Sequence, residues 1–292
     1  MEHCRILCSD VDQHPVFFHF VDTIFHGARA ETWTVWRDRG GWTGDYEVFA
    51  IVDDGRIVGT IGRSRMHMVI DGKDRVGYQL GAVATLEPYR RQGLARQLMD
   101  WVISELDEPD QPIILFANNS VLDFYPRFGF RRIPQRRSFG RNVLQPSGAQ
   151  APRCDLSNAS DRSRLATLCA ASRPTRGRLT ARDYYWLALW NLSCGSATVS
   201  WVPEFEAAIA TTIESERLVI HDVFAAQPFD LGLVLPMLIT QPVMELEFLF
   251  DPGHFWATTS HADFDDTESA LFARGAAASI NGFAQFPVLA QT

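Results

Sequence analysis

The residues of this 292-residue chain best suited to chemistry lie in Gly81-Ala-Val-Ala-Thr-Leu-Glu-Pro-Tyr-Arg-Arg-Gln-Gly-Leu-Ala95. A strand-like stretch enters a turn holding Arg90, Gly93 and Ala95, and a helical pattern starts there. A helix N-terminus offers backbone N–H groups without intrahelical acceptors, at the positive end of the helix dipole. Small residues at Gly93 and Ala95 let an anion approach that backbone, so the segment suits a phosphate or pyrophosphate. The same residues also suit a plain tight strand-to-helix turn, and the segment alone leaves both readings open. Downstream, the apolar run Pro112–Ala117 precedes Asn118, with Tyr125 seven residues later and Phe128-Gly129-Phe130 beyond it.

The elements that must hold these residues follow from periodicity. Val11, Val16, Phe17, Phe20, Val21, Ile24 and Phe25 recur at three- and four-residue steps, predicting a helix from Asp10 to His26 with Pro15 in its first turn. A tryptophan-rich stretch with Trp33, Trp36 and Trp42 leads to two strands, Tyr46–Asp53 and Ile57–Ile70, joined by the hairpin turn Asp53-Asp54-Gly55. A second turn at Asp71–Asp74 leads to a third strand, Arg75–Leu86. A helix follows from Arg91 to Leu106, with Leu94, Leu98, Met99, Val102 and Leu106 on one face. The buried strand Pro112–Ala117, a short helix over Val121–Phe128 and a strand over Phe130–Ile133 complete a mixed α/β domain.

Together the two segments resemble the GNAT superfamily of acyl-CoA-dependent N-acyltransferases. Its fingerprint, Arg or Gln followed by x-x-Gly-x-Gly/Ala, is matched by Arg90-Arg91-Gln92-Gly93-Leu94-Ala95, and its later motif by Asn118, Tyr125, Gly129 and Phe130. The resemblance covers about residues 1–140. It implies a mostly antiparallel central sheet flanked by helices, in which the strand carrying Val83 and Thr85 splays from Ile113–Ala117. It also implies that the pantetheine arm of acetyl-CoA bonds to Val83 and Thr85, that the pyrophosphate meets the N–H groups around Arg91–Ala95, and that Asn118 contacts or positions the pantetheine. Pro88 stands directly before Tyr89, which shifts the turn slightly.

Amide formation from an acyl thioester needs a free amine and an acid for the leaving thiolate. An alkylamine of pKa about 10.4 costs roughly 4–5 kcal/mol to deprotonate at pH 7, against about 1 for an α-amino group. A tyrosine near 10 can protonate a thiolate near 8.5 at a cost of only about 2 kcal/mol. The family position implies Tyr125 as that acid. The base stays open among Asp45, Glu47, His67, Tyr78, Gln79 and a water relay. Trp33, Trp36 and Trp42 fit an aromatic acceptor wall or a core cap equally well. The arginines at 131, 132, 136, 137 and 141 suit a solvated face better than a phosphate site.

Composition narrows the rest. The chain is 46% hydrophobic and 21% charged, with a formal charge of −8 that argues against a nucleic-acid partner. Residues 1–150 hold 18 basic and 19 acidic side chains, and residues 151–292 hold 9 and 16, so the acidity belongs to the second half. Five irregularly spaced cysteines point to a reducing compartment, and Cys4 and Cys8 lack a second ligand pair for a metal. With no signal-peptide pattern or long apolar run, a cytoplasmic protein without a membrane partner is expected.

The division expected is a catalytic domain at 1–144, a linker at 145–153 rich in Pro, Gly and Ser, and a smaller domain at 154–292. The second half repeats the element order: helices at 160–172 and 180–193, strands at 197–202, 207–213 and 217–224, a helix at 234–239 and a strand at 245–250. It lacks the Arg-x-x-Gly-x-Ala turn and looks like a degenerate second copy. The expected function is acetyl-CoA-dependent transfer to a small-molecule or peptide amine; a non-catalytic acyl-CoA-binding protein is the alternative.

Overall fold

Tight turns at positive φ lay down the first sheet. In the computed structural model, which describes residues 1–25, 29–173, 177–257, 259–264 and 269–292, Asp54 and Gly55 adopt φ of 48° and 73°, and Asp71 and Gly72 adopt 44° and 78°. Consecutive positive φ angles match the right-handed twist of flanking strands, so both pairs close antiparallel hairpins. The first half runs β1 (Glu2–Ile6), α1 (His14–Ile24), α2 (Ala30–Asp38), β2 (Tyr46–Asp53), β3 (Arg56–Ile70), β4 (Lys73–Thr85), α3 (Leu94–Ser104), β5 (Ile113–Ala117), β6 (Arg131–Arg132) and β7 (Arg136–Leu144). The expected helix over 121–128 is two short 3₁₀ turns, Asn119–Val121 and Tyr125–Phe128, because Pro126 removes a donor from any longer ladder. His26, the expected end of the first helix, lies outside the described residues.

The second half runs α4 (Ala159–Ala171), β8 (Leu179–Arg182), α5 (Tyr185–Cys194), β9 (Thr198–Val202), β10 (Ala207–Glu214), β11 (Arg217–Ala225), α6 (Leu235–Leu238), β12 (Val243–Phe248), β13 (Ser260–Asp263) and β14 (Ala270–Arg274). The stretch expected as one helix over 180–193 divides: residues 179–182 add a strand to β3, and Asp183, at φ 52°, turns the chain into α5.

Two mixed sheets result, each with helices against it, and the fold is mixed α/β. The first has the order β1-β2-β3-β4-β5-β14-β6, with β8 also on β3; the second has the order β13-β7-β12-β11-β10-β9. The sheets therefore exchange strands. β7 leaves the first half to pair with β12, and β14 returns from the second half to lie between β5 and β6. The sheets do not follow a division at residues 145–153. One large apolar core runs from Phe17 and Val21 through Leu98 and Ile114 to Leu189 and Phe272, so it takes side chains from both halves. A second core lies on Leu218, Ile220, Leu246 and Phe248. No described helix is long and apolar enough to cross a membrane.

Because β14 completes the first sheet, the halves are expected to unfold as one unit. Urea denaturation followed by circular dichroism should give a single transition for the whole chain. Residues 1–144 expressed alone, with the β5 edge open, should show no cooperative transition.

Candidate active site

A bulge in β4 creates the opening. Gly62 pairs with Gly81 and Thr60 with Ala84, so Ala82 and Val83 stand opposite Ile61 alone. The extra residue puts Ala82 at φ 47°, a conformation that costs an alanine about 1–2 kcal/mol. Thr60, fully buried, donates its hydroxyl to the Ala82 carbonyl at 2.7 Å and holds the bulge. A bulged strand bends, and this one bends away from its parallel neighbour. β4 pairs with β5 only at Tyr78–Ile113, Gln79–Ile114 and Leu80–Leu115. Leu86 donates its N–H to Val58 on β3, so strand alternation turns the backbone groups of Thr85 and Val83 away from β3, into the splay.

The turn after β4 meets that splay. It begins as a 3₁₀ turn, Glu87–Tyr89, with Pro88 inside it, and the Tyr89 hydroxyl ties it to Asp53 at 3.0 Å. Arg90 Nε donates to the Thr85 carbonyl at 3.2 Å and Gln92 Nε2 to the Pro88 carbonyl at 3.0 Å, so both side chains brace the turn. Arg91 and Gly93 adopt φ of 63° and 83°, and Gly93 is the N-cap of α3. Left-handed residues so close together turn successive N–H groups toward one concavity, which favours an anion. Gln97 donates to the Gly93 carbonyl, whereas the N–H groups of residues 91–96 find no acceptor among the described residues. Leu94 is buried with Leu98, Met99 and Val102 and fixes the helix to the sheet; Ala95 keeps the first turn narrow.

At the end of β5, Asn118 turns its Oδ1 to the N–H of Ser120 at 3.0 Å and caps the first 3₁₀ turn. Tyr125 starts the second, which Gly129 ends at φ 80°. The Tyr125 ring is packed against Phe124, Phe130 and, from β14, Phe272, with centroids 5.2, 6.1 and 5.6 Å away. Its hydroxyl makes no hydrogen bond among the described residues. Burial pushes its ionisation up to about 12, because the phenolate would lose its hydration. Such a group is a donor that keeps its proton, not a base.

The residues weighed as a base do not converge here. Glu47 is held by Arg63 at 2.6 Å and Arg5 at 3.4 Å. Asp45 faces Arg65 at 3.6 Å, and exposed His67 lies on β3 beside β8. Tyr78 packs beneath the Arg63 guanidinium, 4.4 Å from its ring centroid. Gln79 is fully buried with both ends of its amide engaged: Nε2 donates to the Ala290 carbonyl at 2.8 Å, and Oε1 accepts from the Thr292 N–H at 3.0 Å. Sequence reasoning missed that C-terminal segment. A Cβ on Gly81 would fall 2.8 Å from Thr292 Cβ, so glycine is required where the segment crosses β4. The only sequence signal is the short apolar run Phe286–Ala290, which names no partner.

The tryptophans take the core reading. Trp36 and Trp42 are buried, and their indole N–H groups bond to the carbonyls of Trp186 and Tyr46 at 2.8 and 3.0 Å. Trp33 packs at a tilt against Trp190, with ring centroids 4.4 Å apart, so this cluster joins α2 to α5 across the two halves. Arg131 bonds to the carbonyls of Ala278 and Ile280, and Arg137 pairs with Glu247 at 3.5 Å; these two are engaged in the fold.

The second sheet repeats the bulge and splay without the cradle. Ala210 pairs with Asp222 and Thr211 with Ile220, leaving His221 as the extra residue on β11, and β11 pairs with β12 in parallel only up to Ile220–Phe248. Where the first sheet has α3, the second has a capped 3₁₀ turn and the four-residue α6, which contains Pro236.

Residues 10–133 match the acetyltransferase (GNAT) domain family. No curated protein matches the chain. Among solved structures, a probable N-acyltransferase from Enterococcus faecalis superposes with a TM-score of 0.55 at 11% identity, covering 94% of this chain and 73% of that one. A GCN5-related N-acetyltransferase from Kribbella flavida gives 0.55 at 13% identity over 95% and 73%. Another from Anabaena variabilis gives 0.51 at 11% over 94% and 73%. These similarities extend the shared fold across both halves.

Gly93→Glu should strain the left-handed N-cap and set a negative charge at the dipole's positive end. The carboxylate's repulsion of the pyrophosphate and the shifted turn, together about 1–3 kcal/mol, predict roughly a five- to 100-fold rise in acyl-CoA Kd by calorimetry, with the circular dichroism spectrum unchanged.

Proposed function

Starting from residues 10–133 as a GNAT acetyltransferase domain, we propose that the chain transfers an acetyl group from acetyl-CoA to a primary amine by direct attack in a ternary complex. The supporting observation is one juxtaposition. A bulge-driven splay of β4 from β5 leads into a turn of unpartnered N–H groups, and the segment after β5 carries a tyrosine that burial keeps protonated and that packs on Phe272 of β14, β5's other neighbour. Pantetheine would pair with the open backbone of Val83 and Thr85 as an added strand. The pyrophosphate would sit on the N–H groups of Arg91, Gln92, Gly93, Leu94 and Ala95, with Arg90 and Gln92 holding the turn to shape. Asn118, whose carbonyl is spent on the cap, has its NH₂ left for the pantetheine.

The proton balance limits what Tyr125 does. The amine loses a proton and the thiolate gains one, so no net acid is consumed. Full transfer from a phenol near 12 to a thiolate near 8.5 would be uphill by about 5 kcal/mol. Tyr125 therefore acts chiefly by donating a hydrogen bond to the charge that develops on sulfur, in a site that excludes water. The acidic second half, which forms part of the same core, favours a cationic acceptor such as a small-molecule or peptide amine.

Tyr125→Phe should lower kcat by roughly 10²–10⁴ and leave acetyl-CoA affinity within about threefold. CoA release across an amine panel, with calorimetric binding of acetyl-CoA in parallel, checks this. Binding without release from any amine would point to an acyl-CoA-binding protein instead. The sign of the pH effect follows from burial: the raised pKa keeps the donor intact through pH 10, where an ordinary tyrosine is half ionised. No alkaline fall in kcat traceable to Tyr125 is expected until pH nears 12.

A further inference from the structure

Residues 285–292 cross from one sheet to the other. In the second sheet, Gln285 Nε2 donates to the Phe248 carbonyl at 2.6 Å, and its Oε1 accepts from Ser138 on β7 at 2.6 Å. Val288 donates its N–H to the Leu249 carbonyl at 3.1 Å, just where β12 parts from β11. Pro287 lines one small cavity together with Asp222 and Val223 on the diverging end of β11. The chain thus enters the second splay with its own backbone, through the Val288 bond. It then passes α5, where Asn191 Nδ2 donates to the carbonyls of Leu289 and Gln291 at 3.3 and 2.9 Å. It reaches the first sheet at Gln79 and Gly81, directly before the bulge.

We infer that the second unit serves the reaction as an anchor for this strap, and that Gln79 is the positioning residue that sets the strap as the acceptor-side wall of the first splay. The inference rests on the transferase reading of that splay. Three points carry it. The second splay takes up the chain's own backbone at Val288, where the corresponding place in the first sheet stays open. Gln79 is fully buried on a strand that carries the reaction's proposed binding edge, and both ends of its amide go to the strap. A buried amide left unpaired is costly, so Gln79 fits this position only with the strap in place. The missing side chain at Gly81 then lets Thr292 close on β4 two residues from Val83, the first backbone site proposed for pantetheine. Thr292 thereby borders the side from which an amine would approach the thioester.

The experiment compares wild type with Gln79→Leu, and with Ile239→Val as a mild core change remote from the strap. Three quantities are measured: acetyl-CoA Kd, acceptor KM and kcat, and amide hydrogen exchange at Thr292 and Val288 by NMR. In wild type, the Thr292 amide should be protected. In Gln79→Leu its exchange should rise at least about tenfold with Val288 unchanged, acetyl-CoA Kd should stay within about threefold, and acceptor KM should rise about tenfold. Ile239→Val should leave Thr292 exchange and acceptor KM unchanged even if it lowers Tm. An unprotected Thr292 in wild type, an unchanged acceptor KM once Thr292 is released, or a fall in acetyl-CoA affinity in step with KM would each overturn the assignment. Wild type that binds acetyl-CoA but releases no CoA to any amine overturns the transferase reading. The strap would then be a structural clamp, and its acceptor role would fall with that reading.

Discussion

One buried hydrogen bond, from the Thr60 hydroxyl to the Ala82 carbonyl, sits at the centre of the molecule's logic. It stabilises an alanine in a left-handed conformation within a strand, a state that hydrogen-bonded side chains on β3 and tight packing must sustain. From that one extra residue come the bend of β4, its early parting from β5 and an edge at Val83 and Thr85 that β5 does not pair. An open edge inside a sheet is ordinarily a liability. Here it leads into a turn whose N–H groups also have no partners among the described residues. On the proposed reading, one long polar ligand would satisfy both elements.

The strand exchange explains how such a surface is kept rigid. A splayed pair weakens a sheet, and beyond Leu115, where β4 parts from it, β5 stays paired because β14 covers its other edge from Ile113 to Ala117. Phe272 on that same strand packs against Tyr125, so the wall that fixes the tyrosine comes from the far end of the chain. Asp222 marks the corresponding bulge of the second sheet, where the Tyr184 hydroxyl donates to it at 2.6 Å. That carboxyl is raised to about 6 by burial, and the pair closes the bulge with side chains and not with ligand. The two sheets share a bend and differ in the helix beyond it: three turns long in one, four residues with a proline in the other.

Local chemistry was readable in the sequence wherever one residue type admits few conformations. Asp54-Gly55 and Asp71-Gly72 declare hairpins because positive φ is required there, and Gly93 declares the N-cap for the same reason. The apolar stripe of Leu94, Leu98, Met99 and Val102 declares α3. Partnership was not readable. Ala270–Ala273, the first four residues of β14, are uniformly buried and apolar, so no alternation shows which sheet they enter. Trp33 and Trp36 lie on one face of a helix whose partners, Trp186 and Trp190, stand about 150 residues away on another. Gln79 looked like a polar residue on a strand; its amide makes sense only beside Ala290 and Thr292.

The division between legible and illegible features tracks the ligand's anatomy. A donor with a constant pyrophosphate and pantetheine needs backbone groups at fixed spacing, and backbone geometry is written in glycines, turns and bulges. An acceptor is recognised by side chains gathered from several elements, and the segment proposed to border it in this chain carries no motif. The energetic demand points the same way. On the proposed transferase reading, the developing thiolate needs a donor that does not itself ionise, which burial under Phe124, Phe130 and Phe272 supplies at the cost of a phenol that cannot serve as a base. On the same reading the base is a group other than Tyr125, and the segment that crosses Gly81 is the one proposed to border the acceptor's approach.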